Sequence, residues 1–201
     1  MPIMTRLNSK ELRDISLEDA REHSVQLDRN PIYFIIENVY DTFNIGGIFR
    51  LADALAVSKV YLCGETETPP NHKIQKASVG THKIVPWEYR DSAVEAIREL
   101  RGIKIQDSRF MNHESKIINP RLNTKIIAIE QSKNSIPYTK ADYTMPVALI
   151  VGNETFGVSK QVLSEADQIV EIPMWGINKS LNVIVSAAIV GYHVTNRMLD
   201  A

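Results

Sequence analysis

Apolar residues along this chain fall into short runs separated by polar, glycine- or proline-bearing stretches, the pattern of alternating strands and helices. Pro31 opens the run Ile32-Tyr33-Phe34-Ile35-Ile36, which Glu37-Asn38 closes. A continuous run of β-branched and aromatic residues suits a strand buried on both faces. A helix over Ile48–Leu55 and a strand over Lys59–Cys63 follow, giving the strand–helix–strand order of a parallel crossover. The pattern further predicts a short strand at Ile84-Val85, a helix over Ser92–Leu100, and strands at Lys125–Ile129, Val147–Val151 and Ile169–Ile172. The closing helix, Leu181–Met198, is apolar nearly all round and therefore belongs between layers or at a subunit interface. The fold class predicted is α/β, a mostly parallel sheet with helices on both faces. Ahead of it, residues 1–30 are polar, and Asn8-Ser9-Lys10-Glu11 reads as a helix start with a weak stripe of Leu12, Ile15 and Leu17. The division expected is a helical arm over 1–30 and a main domain over 31–201.

Composition narrows the class. A chain of 201 residues that is 44% hydrophobic can bury a core as one domain without staples. Its single cysteine, Cys63, excludes an internal disulfide framework and an all-cysteine metal site. No apolar run approaches the ~18 residues of a membrane span, and Met1–Ser9 lacks a signal-peptide layout. A soluble, cytoplasmic protein with no membrane partner is expected. The five histidines show no paired metal spacing, so no metal is expected either. Lys+Arg 23 against Asp+Glu 24 leaves a net charge of −1, so any polyanion must meet a local patch. His72, Lys73, Lys76, His82 and Lys83 form one modest basic stretch, which a solvated face explains as well.

Ligands of open parallel sheets bind outside the carboxyl ends of the strands, which directs attention to the loops after Ile36, Ile129, Val151 and Ile172. In the first, Asn44 stands where a helix N-cap belongs, and Gly46-Gly47 leaves the first turn bare for a ligand. Arg50 lies three and four residues on, over the same face, either as a phosphate or sugar-edge ligand or paired with Asp53. The second, Gly152-Asn153-Glu154-Thr155-Phe156-Gly157, is a close-contact loop without the spacing of a dinucleotide fingerprint or a phosphate-binding loop. In the third, Ile172-Pro173-Met174 leads to Ser180-Leu181-Asn182-Val183, with Ser180 at a helix start.

Taken together and in this order, the three segments resemble the SpoU/TrmH-type RNA 2′-O-ribose methyltransferases of the SPOUT class, over about Pro31 to Met198. Ala77-Ser78-Val79-Gly80 is similar to the family's serine–glycine loop. The resemblance implies a C-terminal trefoil knot that binds S-adenosylmethionine as methyl donor. By position it assigns Gly152, Ile172, Met174, Ser180, Leu181 and the loop after Ile129 to the cofactor. It assigns Arg50, Asn44, Glu154, Ser180 and Asn182 to catalysis, Arg50 matching the arginine that helps activate the 2′-hydroxyl. It further implies a homodimer with the active site beside the interface, and tRNA or rRNA as partner.

These residue types suit the reaction. A sulfonium donor needs no metal, only in-line positioning and somewhere for a proton to go. The enzyme reading competes with a catalytically silent RNA-binding protein of the same fold, and with an α/β nucleotide-binding module that never meets RNA. Two departures from the family pattern bear on this: Ala56 replaces a usual glycine, and Ile184 a small polar residue. The segment Ile103–Asn123, carrying Arg109, His113, Lys116 and Arg121, is longer than the usual linker.

Overall fold

The structure, a computed structural model, describes residues 6–103 and 123–199. In chain order its elements begin with helices α1 (Ser9–Asp14) and α2 (Leu17–Gln26), strand β1 (Asn30–Glu37), helix α3 (Thr42–Ala54) and strand β2 (Val57–Cys63). Helix α4 (His72–Ser78), strand β3 (Trp87–Arg90) and helix α5 (Ala93–Leu100) follow. Then come strands β4 (Lys125–Ile129), β5 (Ile136–Pro137) and β6 (Val147–Val151), helix α6 (Lys160–Glu165), strand β7 (Gln168–Glu171) and helix α7 (Val183–Leu199). The strands form one sheet in the order β3-β2-β1-β6-β4-β7-β5, and every pairing is parallel. The chain winds outward from β1 on one side and fills the other side from β6, so the winding reverses between these two strands. A reversal of this kind opens a crevice at the strand carboxyl ends.

Period-two alternation assigns the side chains to the two faces. Phe34, Ile36, Leu149 and Val151 pack with Ile45, Ile48 and Phe49 of α3 and with Val183, Ala187 and Val190 of α7. Ile35, Tyr61, Ala148 and Ile150 pack on the opposite face with Val94 and Ile97 of α5 and Val162 of α6. Both faces of β1 are therefore covered, which accounts for its unbroken apolar run. The helices lie on both sides of a parallel sheet, as the α/β pattern predicts.

Several boundaries differ from expectation. Helix α3 starts at Thr42 rather than Ile48, and its N-cap is Asp41, whose carboxylate accepts the Phe43 N–H at 2.8 Å. Asn44 is thus not a cap but a buried residue of the first turn, 5% exposed. The two glycines, poor helix formers, conceal that start. Ile84-Val85 is not a strand: Val85 N–H bonds to Thr81 O at 2.9 Å, and the Arg29 guanidinium takes Ile84 O at 2.9 Å. With those groups committed to a turn, the edge strand starts only at Trp87, as β3, paired with Val60–Cys63. Helix α4 carries His72, Lys73 and Lys76 of the basic stretch, and Asn71 caps it by accepting from Lys73 and Ile74 N–H. Helix α7 begins at Val183, not Leu181, and its cap is Asn182 rather than Ser180.

Asn8 caps α1 in a reciprocal box with Glu11. The Lys83 ammonium donates to the carbonyls of Arg13 and Ile15, both at 2.9 Å, which fastens the end of α1 to the turn at Thr81–Lys83. Arg109, His113, Lys116 and Arg121 lie outside the described residues. Among the described residues, no helix is long and apolar enough to cross a membrane.

Candidate active site

The carboxyl ends of β4, β6 and β7 and the approach to α7 enclose a cavity of about 570 Å³, within the ~300–1,000 Å³ typical of small-molecule sites. Ile129, Gly152, Ile172, Met174, Ser180 and Leu181 all line it. Glu154 and Asn182 line it too, whereas Asn44 and Arg50 do not. The expected set is thus divided: most of it surrounds one cavity, and the residues on α3 lie behind or beside its wall.

Asn44 joins the two groups. Its amide nitrogen donates to Glu154 Oε1 at 2.9 Å, and its Oδ1 accepts from Asn182 Nδ2 at 2.9 Å. Asn182 Oδ1 in turn accepts the Ile184 N–H at 2.8 Å, which caps α7. Glu154 also accepts the backbone N–H groups of Tyr40 and Asp41 at 3.2 and 3.1 Å. Desolvation pushes the Glu154 carboxyl pKa upward, but the Asn44 amide and these backbone donors outweigh it, so the net shift is downward. One carboxylate and two amides therefore lock the loop after β6, the first turn of α3 and the start of α7 together.

Gly46 and Gly47 do not leave backbone bare for a ligand. A Cβ on Gly46 would lie 2.4 Å from Ala77 Cβ, and one on Gly47 would lie 2.3 Å from Ile184 Cδ1. The glycines let α4 and α7 approach α3 closely, and Ile184 fills the groove over Gly47. Arg50, one turn further on, is exposed and makes no hydrogen bond or ion pair among the described residues. Asp53 is not its partner but feels the charge of Arg29. Ser78, in the serine–glycine loop, is fully buried, and its Oγ shares a 2.7 Å hydrogen bond with His82 Nδ1. His82 is itself only 8% exposed, so it does not belong to a basic surface; burial first, and the Lys83 charge second, hold its pKa below the ordinary value.

Other residues that shape the cavity carried little signal in the sequence. Glu130 sits directly after β4 and accepts the N–H groups of Gln131 and Val158 at 2.9 and 2.8 Å. Glu37, 7% exposed at the end of β1, accepts the Ser159 N–H and hydroxyl at 2.8 and 2.7 Å. Asn153 Oδ1 takes the N–H groups of Thr155 and Phe156, while its Nδ2 donates to Asn38 O at 2.7 Å. The only available hint was position: each polar residue falls at or within two residues of the end of an apolar strand. The turn they brace is tight, since a Cβ on Gly152 would lie 2.3 Å from the Gly157 carbonyl.

The lining fits S-adenosylmethionine. Ile129, Val151, Ile172 and Leu181 offer apolar wall, and the carboxylates of Glu130, Glu154 and Glu171 outnumber the single ammonium of Lys179. A site with that balance favours a cationic ligand with an apolar body. Among the described residues, no group of three His, Cys, Asp or Glu side chains could hold a metal ion.

Comparison with known proteins agrees with this geometry. The SpoU rRNA Methylase family model matches residues 31–192. The chain is 32% identical over 177 residues to a tRNA (guanosine(18)-2′-O)-methyltransferase of Aquifex aeolicus, covering 88% of this chain and 74% of the relative. The crystal structure of an A. aeolicus TrmH/SpoU tRNA modifying enzyme superposes with a TM-score of 0.69 at 29% identity, covering 92% of this chain and 83% of that one. An AdoMet-bound rRNA methyltransferase from Sinorhizobium meliloti superposes with a TM-score of 0.69 at 25% identity, covering 93% of this chain. This chain spans 60% of that protein's length. The motif order, the cavity they enclose and these likenesses converge: the chain belongs to the SpoU rRNA methylase family.

Proposed function

We propose that the protein methylates a ribose 2′-hydroxyl of tRNA or rRNA, with S-adenosylmethionine held in the cavity between β4, β6, β7 and the start of α7. The observation that carries this reading is the meeting of Gly152, Ile172, Met174 and Leu181 around one cavity, whose wall residue Glu154 is tied through Asn44 to Asn182. When bound there, S-adenosylmethionine supplies an electrophilic methyl group on a sulfonium centre. The chain's own residues bring the 2′-oxygen into line and dispose of its proton.

Arg50 is assigned the second task. A guanidinium keeps its proton throughout the neutral range, so it serves as a fixed positive charge rather than a base. Gripping the 2′-hydroxyl or the adjacent phosphate, it lowers the cost of deprotonation, and the proton leaves to water. Its exposure, and the lack of a hydrogen bond or ion pair to it among the described residues, support this role. Ser180, exposed on the cavity rim, is positioned to orient the donor or the ribose. Glu154, Asn44 and Asn182 act as positioning residues, since their polar atoms hold one another.

Family membership supports a C-terminal trefoil knot and a homodimer in this reading, and Val185 (44% exposed) and Tyr192 (48%) on α7 offer apolar surface for the partner copy. A cytoplasmic location and a main domain over 31–201 preceded by a helical arm complete the reading. Incubation with methyl-labelled S-adenosylmethionine and undermethylated tRNA or rRNA tests it. Label recovered in 2′-O-methylated nucleosides is expected; binding of the donor without transfer to either pool favours the silent RNA binder.

A further inference from the structure

A second, more open cavity, of about 780 Å³, is lined by residues 40–43, Glu67 and residues 70–73. The two backbone N–H groups that Glu154 accepts belong to Tyr40 and Asp41, and both residues line this second cavity. Its character is different. Two aromatic side chains face solvent here, Tyr40 at 51% and Phe43 at 58% exposure. The Tyr40 hydroxyl is bound to Glu65, which fixes one ring. Asp41 and Glu67 supply carboxylates, and His72 and Lys73 supply basic groups at the edge.

Exposed aromatic rings beside both acidic and basic groups match the parts of a nucleotide. Aromatic faces stack bases without regard to sequence, lysine meets phosphate, and carboxylates accept from exocyclic amino and ring N–H groups. An ionised carboxylate accepts hydrogen bonds and donates none. Guanine presents two adjacent donors, N1–H and the 2-amino group, whereas adenine and cytosine present one amino group each and uracil one imino group.

The helix register connects this cavity to the chemistry. Phe43, Gly47 and Arg50 are spaced i, i+4 and i+7 along α3 and share a face. Ile184 covers the middle of that stripe and leaves the two ends exposed. At 1.5 Å per residue, Phe43 and Arg50 lie about 10 Å apart along the axis, a separation that nucleotides at or next to each other on a single strand can span.

We infer that Tyr40 and Phe43, with Asp41 and Glu67, form a base subsite that stacks and reads an RNA base at or directly beside the methylated nucleotide, with guanine preferred. The inference rests on the methyltransferase reading for its meaning, but its first test does not need turnover. Guanosine 5′-monophosphate is titrated into the full chain and compared with the adenosine, cytidine and uridine monophosphates, by NMR shifts of ring-labelled phenylalanine. The guanine nucleotide should bind tightest and shift Phe43. Phe43→Ala should weaken it about tenfold, Phe43→Trp should restore it, and Glu67→Gln should erase the preference over adenosine monophosphate. Equal binding of all four nucleotides, or binding unaffected by Phe43→Ala, overturns the proposal.

A second arm uses methyl transfer to RNA. Phe43→Ala should raise KM for RNA with kcat and the affinity for S-adenosylmethionine unchanged, and a fall in kcat at unchanged KM contradicts the subsite. Nucleotide binding with no transfer by the native chain would remove the methyltransferase reading while leaving the base subsite in place.

Discussion

The Asn44 amide nitrogen lies 2.9 Å from a carboxylate oxygen of Glu154, although 110 residues separate the two along the chain. This bond, extended by Asn182 on the other side of Asn44, makes three distant segments into one rigid wall. Asn44 is thereby the joint of the site, and its replacement discriminates between roles.

Asn44→Ala removes two hydrogen bonds whose partners, Glu154 and Asn182, are exposed and can turn to water, so a cost of about 1 kcal/mol in stability is expected. Asn44→Asp sets a second carboxylate against Glu154 and should cost more than alanine at neutral pH. Thermal unfolding of the two variants checks the order. An aspartate variant as stable as wild type contradicts the bond.

Acid should act on the same joint. The donors around Glu154 hold its pKa below the ordinary 4.5. A lowered carboxylate contributes stability above its unfolded-state pKa and loses it as pH falls through the folded value. The bracing of the loop is therefore intact from about pH 5 upward and fails in more acidic solution. In Glu154→Gln this acid-dependent component should be missing, which unfolding curves between pH 3 and pH 6 would reveal.

His82 works in a higher window. Burial and Lys83 lower its pKa from 6.5, so the unfolded chain takes up a proton that the folded chain resists. Stability from this group is complete above pH 6.5 and declines as pH falls toward the folded value. His193, lowered by burial and by Arg197, shares the direction. His82→Gln should flatten the fall in melting temperature between neutral pH and pH 5.5, and an unchanged slope counts against the buried neutral imidazole.

The glycine pair gives a packing test. Gly47→Ala drives a methyl into Ile184 Cδ1, the far end of a flexible side chain. The Ile184 side chain can turn aside and alanine is the better helix former by about 1 kcal/mol, so a net cost of at most about 1 kcal/mol is expected, and Ile184→Val, which removes that carbon, should recover it. Additive effects in the double variant would contradict direct contact. Ala56 adopts φ +47, where a side chain is strained, which accounts for the glycine that the sequence resemblance leads one to expect there. Ala56→Gly should stabilise the chain by about 0.5 kcal/mol, the left-handed penalty less the extra unfolded-state entropy.

The sequence made the sheet legible because both faces of its strands are covered. Val147–Val151 and Lys125–Ile129 are single apolar runs whose ends coincide with the observed strands. What it concealed were features set by tertiary contact. Ile84 and Val85 have strand chemistry, but Arg29 and Thr81 claim their backbone. Gly46 and Gly47 read as open backbone, yet the atoms that fill the space come from Ala77 and Ile184, far away in sequence. Ser180 and Asn182 both have capping chemistry, and only the register of α7 chooses between them. The cavity residues were legible because they fall after strands; the braces Glu37 and Glu130 were not, because a carboxylate after a strand has no signature of its own partner.

In the proposed function donor binding and proton handling fall to separate residues, the lining of the cavity for the donor and Arg50, outside that lining, for the ribose. Calorimetric titration of S-adenosylmethionine into wild type and Arg50→Lys, with turnover measured on the same RNA pool, tests that division most directly. The same donor affinity is expected in both proteins, with a loss of turnover of about 100-fold in the lysine variant, which keeps the charge but loses one of the guanidinium's paired hydrogen-bond donors. Near-normal turnover in Arg50→Lys would contradict the role given to the guanidinium, and no donor binding to the wild-type chain would contradict the cavity's assignment.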